Sequence, residues 1–352
     1  MPNELYHVVA FLVSAVVVLW STPVVKTIGF KSGLVDLPNE RKIHQRPMVR
    51  VGGVSIFVGT IISLLIVWWS GGFGILPTVK EWEIWGVTSG GLAFFLIGLA
   101  DDLFNLSPFI RLLLQVVVAG IAWWMGVRID FLSVPTGGLV DIVGWLSLPI
   151  TIIWLVGMAN AINFIDGLDG LAAGVSGIAA VVMLIVTLFM HQSAAALIAA
   201  ALAGGALGFL RYNFNPAQIF MGDGGAYFMG FTLAGVGVIG LVKGTAITAV
   251  LLPYLILAVP ILDMSAVIVS RLSKGKSPFF ADNLHLHHRL LRAGLSQRLS
   301  VLFIYSLTLW VGSLALVFAG IPSGIAYALG ATSLLSYTSW QVWRNLRHSQ
   351  RG

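Results

Sequence analysis

The sequence predicts an all-α, polytopic membrane protein with about eleven transmembrane helices, and three observations predict it. Of the 352 residues, 58% are hydrophobic and only 10% are charged, whereas a soluble globular domain carries about 25% charged residues. Apolar stretches of the ~20 residues needed to cross a bilayer recur along the chain. The basic residues gather in alternate connections between them. This composition cannot cover a water-facing surface, so a soluble protein is excluded.

Eleven stretches have the length and composition of a membrane span. They lie at about 6–28, 51–70, 84–100, 110–128, 143–159, 172–190, 194–210, 224–242, 246–270, 299–319 and 323–342. The fifth contains Pro149, and the ninth contains two prolines and Asp263, which favours a broken helix with a functional acid. VPTGG at 134–138 predicts the turn of a small hairpin. With no internal repeat, residues 1–352 are interpreted as one membrane domain.

The basic residues predict the orientation. All but three of the 20 Lys and Arg residues fall on one set of connections, and the other set holds only Lys80, Arg128 and Lys243. The positive-inside rule then places the N-terminus outside and the C-terminus in the cytoplasm, as an odd number of spans requires. The net charge of +6 therefore indicates cytoplasmic loops, and no nucleic-acid partner is expected. The absence of Cys excludes thiolate chemistry.

Most of the residues capable of chemistry fall in five predicted cytoplasmic loops, at about 29–50, 101–110, 160–171, 211–223 and 271–298. The first loop, which contains LVDLPNERKIHQRPMVRVGG, holds His44 and five cations, Lys31, Arg41, Lys42, Arg46 and Arg50. Topology and lipid contact explain part of this set, and binding of phosphate explains the rest. Asp101 and Asp102 end the third span, with Arg111 nearby. Two close carboxylates suit metal binding or a general base, although exposure to solvent is the structural alternative.

The third loop, NAINFIDGLDG, contains carboxylates and amides at the end of a span. Placing these groups there costs free energy unless they face water, a metal or a polar substrate. Its glycines allow tight turns. Asp166 and Asp169 are three residues apart, so they would share a face on a helical turn. Capping of the next helix is the alternative, above all for Asp169.

The fourth and fifth loops carry an acid and a histidine cluster. Asp223 in FNPAQIFMGDGG stands at a helix start, which suits a hard cation near phosphate or a helix cap. His285, His287 and His288 lie within four residues and precede arginines. A zinc site would lack a fourth ligand nearby, so a site for a diphosphate anion is the preferred interpretation.

Five motifs in this order carry a family resemblance: DLPNERKIHQRPMVRVGG, the acidic pair of GLADDLFNLSPFIRLLLQ, NAINFIDGLDGL, FNPAQIFMGDGG and SPFFADNLHLHHR. Over about residues 30–295, the chain resembles the polyprenyl-phosphate N-acetylhexosamine-1-phosphate transferases (glycosyltransferase family 4). Within that family it is more similar to the WecA/TagO type than to the phospho-MurNAc-pentapeptide transferase (MraY) branch. The sequence departs from the family pattern at Val49, where Pro is common, and at Ala226, where Ser is common.

The resemblance implies transfer of N-acetylglucosamine-1-phosphate from UDP-GlcNAc to undecaprenyl phosphate, with release of UMP, at the cytoplasmic face of a bacterial plasma membrane. The partners are these two substrates and the lipid bilayer, with a second copy of the chain as a further candidate. The cofactor is Mg²⁺, with Mn²⁺ as a substitute. The predicted catalytic residues are Asp101, Asp102 and Asp166; the metal ligands are Asp223 and Asn163; the substrate-binding residues are Asn160, Asp169, Arg111, Lys42, His44, Asn213, His285, His287 and His288.

Several alternatives stay open. The chain could act as a phospho-MurNAc-pentapeptide transferase or use another UDP-N-acetylhexosamine. A secondary transporter would bind ions near the midplane of inverted repeats, and a lipid-phosphate phosphatase would not need this acidic set. Within the transferase interpretation, in-line attack by the lipid phosphate competes with a two-step route through an aspartyl phosphate.

Overall fold

The computed structural model describes residues 3–37, 46–74, 76–134, 138–142, 144–242, 251–277 and 284–349. The helices are α1 Asn3–Lys31, α2 Gly53–Trp69, α3 Thr78–Phe104, α4 Pro108–Trp124, α5 Gly144–Ile165, α6 Leu171–Phe189, α7 Ser193–Asn213, α8 Gly222–Val236, α9 Leu251–Ile256, α10 Ala258–Ser273, α11 Leu286–Arg292, α12 Gln297–Phe318 and α13 Gly324–Ser349. A π-helical segment, Gly237–Val242, continues α8. The strands are β1 Val35–Asp36, β2 Met48–Val49, β3 Phe131–Val134 and β4 Gly138–Asp141.

Seven helices in the described part of the chain are long and apolar enough to cross a membrane: α1, α3, α5, α6, α7, α8 with its π-helical continuation, and α12. Helices α2 and α4 are apolar but have only 17 residues each. The long α13 is too polar to be counted, and the ninth predicted span is two helices separated at Leu257. The structure is thus that of a polytopic helical membrane protein. The count of eleven spans and the orientation stay predictions.

Helix α8 lies at the centre and is buried from Gly224 to Val236. It packs against α3 and α5, while α7 packs against α1 and α6. Glycines allow these close crossings, because a Cβ on Gly98 of α3 would overlap the backbone of Asp223 and Gly224 in α8. The α3–α8 crossing therefore brings two predicted site segments together.

Two short hairpins complete the fold. Strands β3 and β4 pair antiparallel, with Val134 opposite Gly138, so the hairpin predicted there is confirmed. Strands β1 and β2 pair the two ends of the first loop, with Val35 opposite Val49. The Phe220 N–H then donates to the Val49 carbonyl over 2.8 Å, which joins the first loop to the segment before α8.

The structure corrects several local predictions. Asp101 and Asp102 lie in the last turn of α3, and Asn160 and Asn163 lie within α5, so the loops predicted at 101–110 and 160–171 begin later than expected. The turn that holds Asp166 and Asp169 is not helical, so these residues do not share a helical face.

Both helix-capping alternatives are also wrong. Gly170 precedes α6 with a φ of 77°, and Met221 precedes α8; neither helix start has a side-chain cap. Asp169 and Asp223 are thus available for other contacts.

Candidate active site

Three carboxylates meet where the end of α3 crosses the start of α8. Asp101 and Asp102 are 7% and 9% exposed, and Asp102 Oδ2 accepts the Gly224 N–H over 3.1 Å. Arg111 of α4 donates to Asp101 Oδ2 and lies 3.6 Å from Asp223 Oδ2. Buried carboxylates are tolerated only with such partners, because removal from water is costly.

A second arginine reaches the cluster from the first loop. Arg50 follows β2 and donates to the backbone carbonyl of Asp102, while its Nε lies 4.0 Å from Asp102 Oδ1. The described ion pairs thus give this cluster two arginines for three carboxylates. The negative excess suits a cation.

Two amides on one face of α5 extend the cluster. Asn163 Nδ2 donates to Asp223 Oδ1 over 2.9 Å. One turn earlier, Asn160 Nδ2 donates to Gln115 Oε1 and to the Val156 carbonyl, both at 2.8 Å. Both hydrogens of Asn160 Nδ2 are used, so its oxygen is the group left to interact with a ligand.

A cavity of about 1000 Å³ lies beside the cluster, within the size range of ligand sites. Asp102 and Asp223 reach it, whereas Asp101, Arg111, Asn160 and Asn163 do not line it. Its other polar lining residues include Asp36, Arg46, Arg50, Asp166, Asp169, Asn213, Asn215, His288, Arg292 and Gln297. The cavity therefore joins the predicted loops at one end of the helices.

Asp166 and Asp169 both line the cavity but have different surroundings. Burial, with smaller contributions from the charges of Asp102 and Asp169, raises the pKa of Asp166 to about 7. Asp169 Oδ2 accepts from Asn215 Nδ2 and from the Ala217 N–H, both at 3.0 Å. Asp166 is therefore suited to proton transfer, whereas Asp169 connects two loops.

Asn213 lines the cavity, and its side-chain oxygen is unpaired within the described ranges. Its Nδ2 donates to the Ile219 carbonyl over 2.9 Å. Its Oδ1 is buried and has no hydrogen-bond partner among the described residues. Buried acceptors are normally paired with a protein group, an ordered water or a ligand.

The three histidines are brought together, but only His288 lines the cavity. His287 packs its ring against Gly167 and is 2% exposed. Burial, followed by the charges of His288 and His285, lowers the pKa of His287 to about 3, so it is neutral at pH 7. This geometry favours a packing role for His287. The predicted Lys42 and His44 lie outside the described residues.

The residues around Asp223 fit Mg²⁺. This ion takes oxygen ligands and is commonly held by one or two carboxylates, with substrate phosphates and water completing its shell. The Asp223 carboxylate and the oxygen of the adjacent Asn163 amide supply ligands of that type. No group of three His, Asp or Glu side chains in the described ranges forms a closed metal site, and an open Mg²⁺ site does not need one.

Several residues of the site were not among the site residues predicted from the sequence, including Arg46, Asn215, Arg292 and Gln297 of the cavity lining. Arg50 and Asp36 stand in the quoted first-loop motif, and Gln115 follows Arg111 by one helical turn, so their positions carried a signal. Asp263 was noted as an acid within a span, but its partner His285 is 22 residues away. That separation gives no local pattern from which to predict the pair.

Comparison with known proteins identifies the family. The model of glycosyl transferase family 4 matches residues 84–241. The chain is 38% identical to the probable undecaprenyl-phosphate N-acetylglucosaminyl 1-phosphate transferase of Bacillus subtilis over 334 residues, which covers 95% of this chain and 86% of the relative. It is 34% identical to the decaprenyl-phosphate N-acetylglucosaminephosphotransferase of Mycolicibacterium smegmatis, covering 92% and 83%.

A third relative extends the match over nearly the whole chain. The undecaprenyl-phosphate alpha-N-acetylglucosaminyl 1-phosphate transferase of Pasteurella multocida is 33% identical over 356 aligned residues, which cover 98% of this chain and 95% of the relative. The five motifs, the helical membrane architecture and these matches agree, and the chain belongs to glycosyl transferase family 4.

Proposed function

We propose that this protein transfers N-acetylglucosamine-1-phosphate from UDP-GlcNAc to undecaprenyl phosphate and releases UMP, the first step of a lipid-linked cell-envelope glycan. The observation that carries the proposal is the cluster of three carboxylates and two arginines beside a cavity of about 1000 Å³. Such a site can bring two phosphorylated substrates together at the end of membrane helices. The names of the relatives support this choice of substrates.

The chemistry exchanges one phosphoanhydride for another. An oxygen of the lipid phosphate bonds to the β-phosphorus of UDP-GlcNAc, and the bond from that phosphorus to the bridging oxygen breaks, so UMP leaves. The main barrier is the repulsion between two anionic phosphates. Mg²⁺, when bound near Asp223 and Asn163, would neutralise part of that charge. Arg50, which lines the cavity, would contribute positive charge beside the reacting groups, and Arg111 would act through its contacts with Asp101 and Asp223.

Asp102 is the better candidate for the base that deprotonates the lipid phosphate. Asp101 Oδ2 accepts a hydrogen bond from Arg111, and Asp101 does not line the cavity. Asp102 does line it. A base has to lie within hydrogen-bond reach of the proton that it accepts. His288 and Arg292 line the same cavity, and we assign them to the diphosphate of the sugar nucleotide.

We further propose that this site faces the cytoplasm, where UDP-GlcNAc is available. The supporting observation is the positive-inside bias of the sequence. The carboxylates lie in the last turn of α3 and the first turn of α8. Their position at helix ends favours a transferase over a transporter, whose acids would lie near the midplane.

The test is UMP release from UDP-GlcNAc by the purified protein in detergent, with Mg²⁺ and undecaprenyl phosphate. We expect lipid-dependent UMP release that Asp223→Asn lowers by about 10³-fold, as for loss of a group that stabilises transition-state charge. Asp130→Asn, at the opposite end of α4, is the matched control and should keep the activity. No release above the Asp223→Asn level with any of a panel of UDP-sugars would refute the transferase assignment.

The same assay separates the two mechanisms. In the one-step route, radiolabelled UMP exchanges into UDP-GlcNAc only when lipid product is present. Exchange without any lipid, or a trapped sugar-phosphoryl enzyme, would establish the two-step route instead.

A further inference from the structure

Asp263 makes two short contacts that the proposed chemistry does not use. It lies on α10, about one and a half turns after the break at Leu257. Its Oδ2 is 2.8 Å from His285 Nδ1, and its Oδ1 accepts the Leu286 N–H over 2.7 Å. Both side chains of the acid–histidine pair are 8% exposed. Each carboxylate oxygen therefore contacts one group at the start of α11: Oδ2 contacts the His285 ring, and Oδ1 contacts the Leu286 N–H.

These two contacts orient the helix that carries the cavity-lining histidine. Leu286 is the first residue of α11, and the first N–H groups of a helix have no intrahelical partner. His285 itself makes no side-chain cap, so Asp263 satisfies this N–H from another helix. His285 is followed by His287, whose ring stands against Gly167, and then by His288 at the cavity.

The ring contacts continue the same connection. The His285 and His287 rings are 5.8 Å apart and nearly parallel, and the His287 and His288 rings are 4.2 Å apart. Phe164 of α5 also lies 5.6 Å from the His285 ring. A displacement of His285 would therefore move the start of α11 relative to the turn after α5.

We infer that Asp263 is a positioning residue, which acts through His285 and the start of α11 to hold His288 and Arg292 against the sugar nucleotide. This inference rests on the proposed function, because it assigns those two side chains to the diphosphate. Asp263 itself does not line the cavity, so it is not a catalytic residue. Its effect should appear in the binding of one substrate only.

An amide cannot replace the carboxylate here. Asp263 accepts at both oxygens, whereas asparagine has one acceptor oxygen and one NH₂ donor. In either orientation of the amide that Asp263→Asn introduces, one donor at the start of α11 would face another donor, unless the His285 ring changed tautomer. The substitution therefore removes one interaction at nearly constant volume.

The experiment compares Michaelis constants in the full-length protein. For Asp263→Asn we expect the KM for UDP-GlcNAc to rise about tenfold, the effect of one lost charge-assisted hydrogen bond. The KM for undecaprenyl phosphate should stay within about twofold, since the lipid substrate does not contact α11 in this proposal. Asp130→Asn is the matched control and should change neither constant. Equal changes in both constants, or no change, would overturn the inference.

A double-mutant cycle tests the route through His285. His285→Ala should raise the KM for UDP-GlcNAc, and adding Asp263→Asn should raise it little further, because the two residues act as one unit. Independent, multiplicative effects would overturn the inference. If Asp263→Asn does not fold, Asp263→Glu carries the same test, because it keeps both oxygens but shifts them by one methylene. Its KM ratio should change in the same direction, and an unchanged ratio would overturn the inference.

The outcomes separate this inference from the proposed function. The wild-type protein is measured first with the panel of UDP-sugars. A wild type without UMP release contradicts the proposed function. An active wild type whose Asp263 variants keep both Michaelis constants contradicts only the role of Asp263.

Discussion

Helix α4 has an arginine near each end, and the two arginines make ion pairs of different kinds. Near its start, Arg111 contacts Asp101 and Asp223, and the Asp101 side chain is 7% exposed. Just after its end, Arg128 Nε lies 2.9 Å from Asp130 Oδ2, and these two side chains are 49% and 40% exposed. The helix has 17 residues, so about 25 Å separate its ends.

The difference between these ion pairs indicates which end of α4 binds a ligand. Arg128 and Asp130 balance each other's charge, and Asp130 also accepts a hydrogen bond from Ser147. At the other end, two arginines face three carboxylates, of which Asp101 and Asp102 are almost fully buried and Asp223 is about one-third exposed to the cavity side. A buried excess of one charge is unfavourable unless a ligand of opposite charge joins it. The exposed pair needs no such ligand, because water solvates it.

The largest effect should follow from removing the arginine at the buried end. Arg111→Gln leaves Asp101 and Asp223 without their shared cation, and we expect UMP release to fall by about 10²- to 10³-fold. The same substitution at the exposed end, Arg128→Gln, should leave activity within about twofold and cost less than about 1 kcal/mol of stability. Initial rates and the midpoint of thermal unfolding in detergent measure both. Equal losses of activity in the two variants would contradict the comparison.

The convergence at the buried end was predictable from the sequence, and its details were not. Charged residues make up only 10% of the chain, and the Lys/Arg bias of alternate connections placed Asp101, Asp223 and Asn163 on one predicted face of the membrane. Their motifs then assigned the site to a family. Which of Asp166 and Asp169 is hydrogen-bonded to another loop depends on the conformation of the turn before α6. The φ of 77° at Gly170 shows that this turn does not continue the helix. The exact helix ends were missed because apolar periodicity does not mark where α3 and α5 stop.

Asp166 should give the next largest effect and make the buried end sensitive to pH. Its pKa of about 7 means that the carboxylate is protonated below neutrality. If the charged form takes part in the reaction, the wild-type rate should fall about tenfold per pH unit below pH 7. Asp166→Asn should lower the rate at pH 8 by about 10²-fold. The measurement is the rate of UMP release by both proteins from about pH 5.5 to about pH 8.5, a range that brackets this pKa. A wild-type rate that is flat across that range would refute this role.

Asp166→Asn, which should lower the rate, should raise the stability of the folded protein at pH 8. The pKa of Asp166 is higher in the folded protein than in the unfolded chain, so the folded state holds the proton more tightly. The stability that this proton contributes is present at low pH and is lost as pH rises through 7. Asp166→Asn should therefore be more stable than the wild type at pH 8, by about 2 kcal/mol after allowance for partial exposure, with little gain near pH 4. Thermal unfolding at the two pH values tests this.

Asp169 should give a smaller effect than its neighbour, because its carboxylate connects loops. Asp169→Asn keeps an oxygen that can accept from both Asn215 and Ala217 but removes the charge that strengthens these bonds, and we expect a loss of about tenfold in rate with unchanged pH dependence. The control is Asp166→Asn measured in parallel. A loss for Asp169→Asn as large as that for Asp166→Asn would assign both acids to the chemistry.

The smallest predicted effect concerns Gln115, one turn further into α4 from Arg111. Its Oε1 accepts from Asn160 Nδ2 over 2.8 Å, which keeps the Asn160 amide in one orientation. Gln115→Met has similar length and no comparable acceptor, so the amide can rotate. We expect a three- to fivefold loss of rate, about 1 kcal/mol, which is typical of one hydrogen bond.

The matched control lies at the other end of α4. Ser147 accepts from Trp123 Nε1 over 2.9 Å and donates to Asp130, so Ser147→Ala also removes hydrogen bonds beside α4. It should lower the unfolding temperature without lowering the rate of UMP release. Gln115→Met should lower the rate at temperatures where both variants are fully folded. If the rates of both variants follow their unfolding temperatures alone, Gln115 supports the fold and the functional end of α4 stops at Arg111.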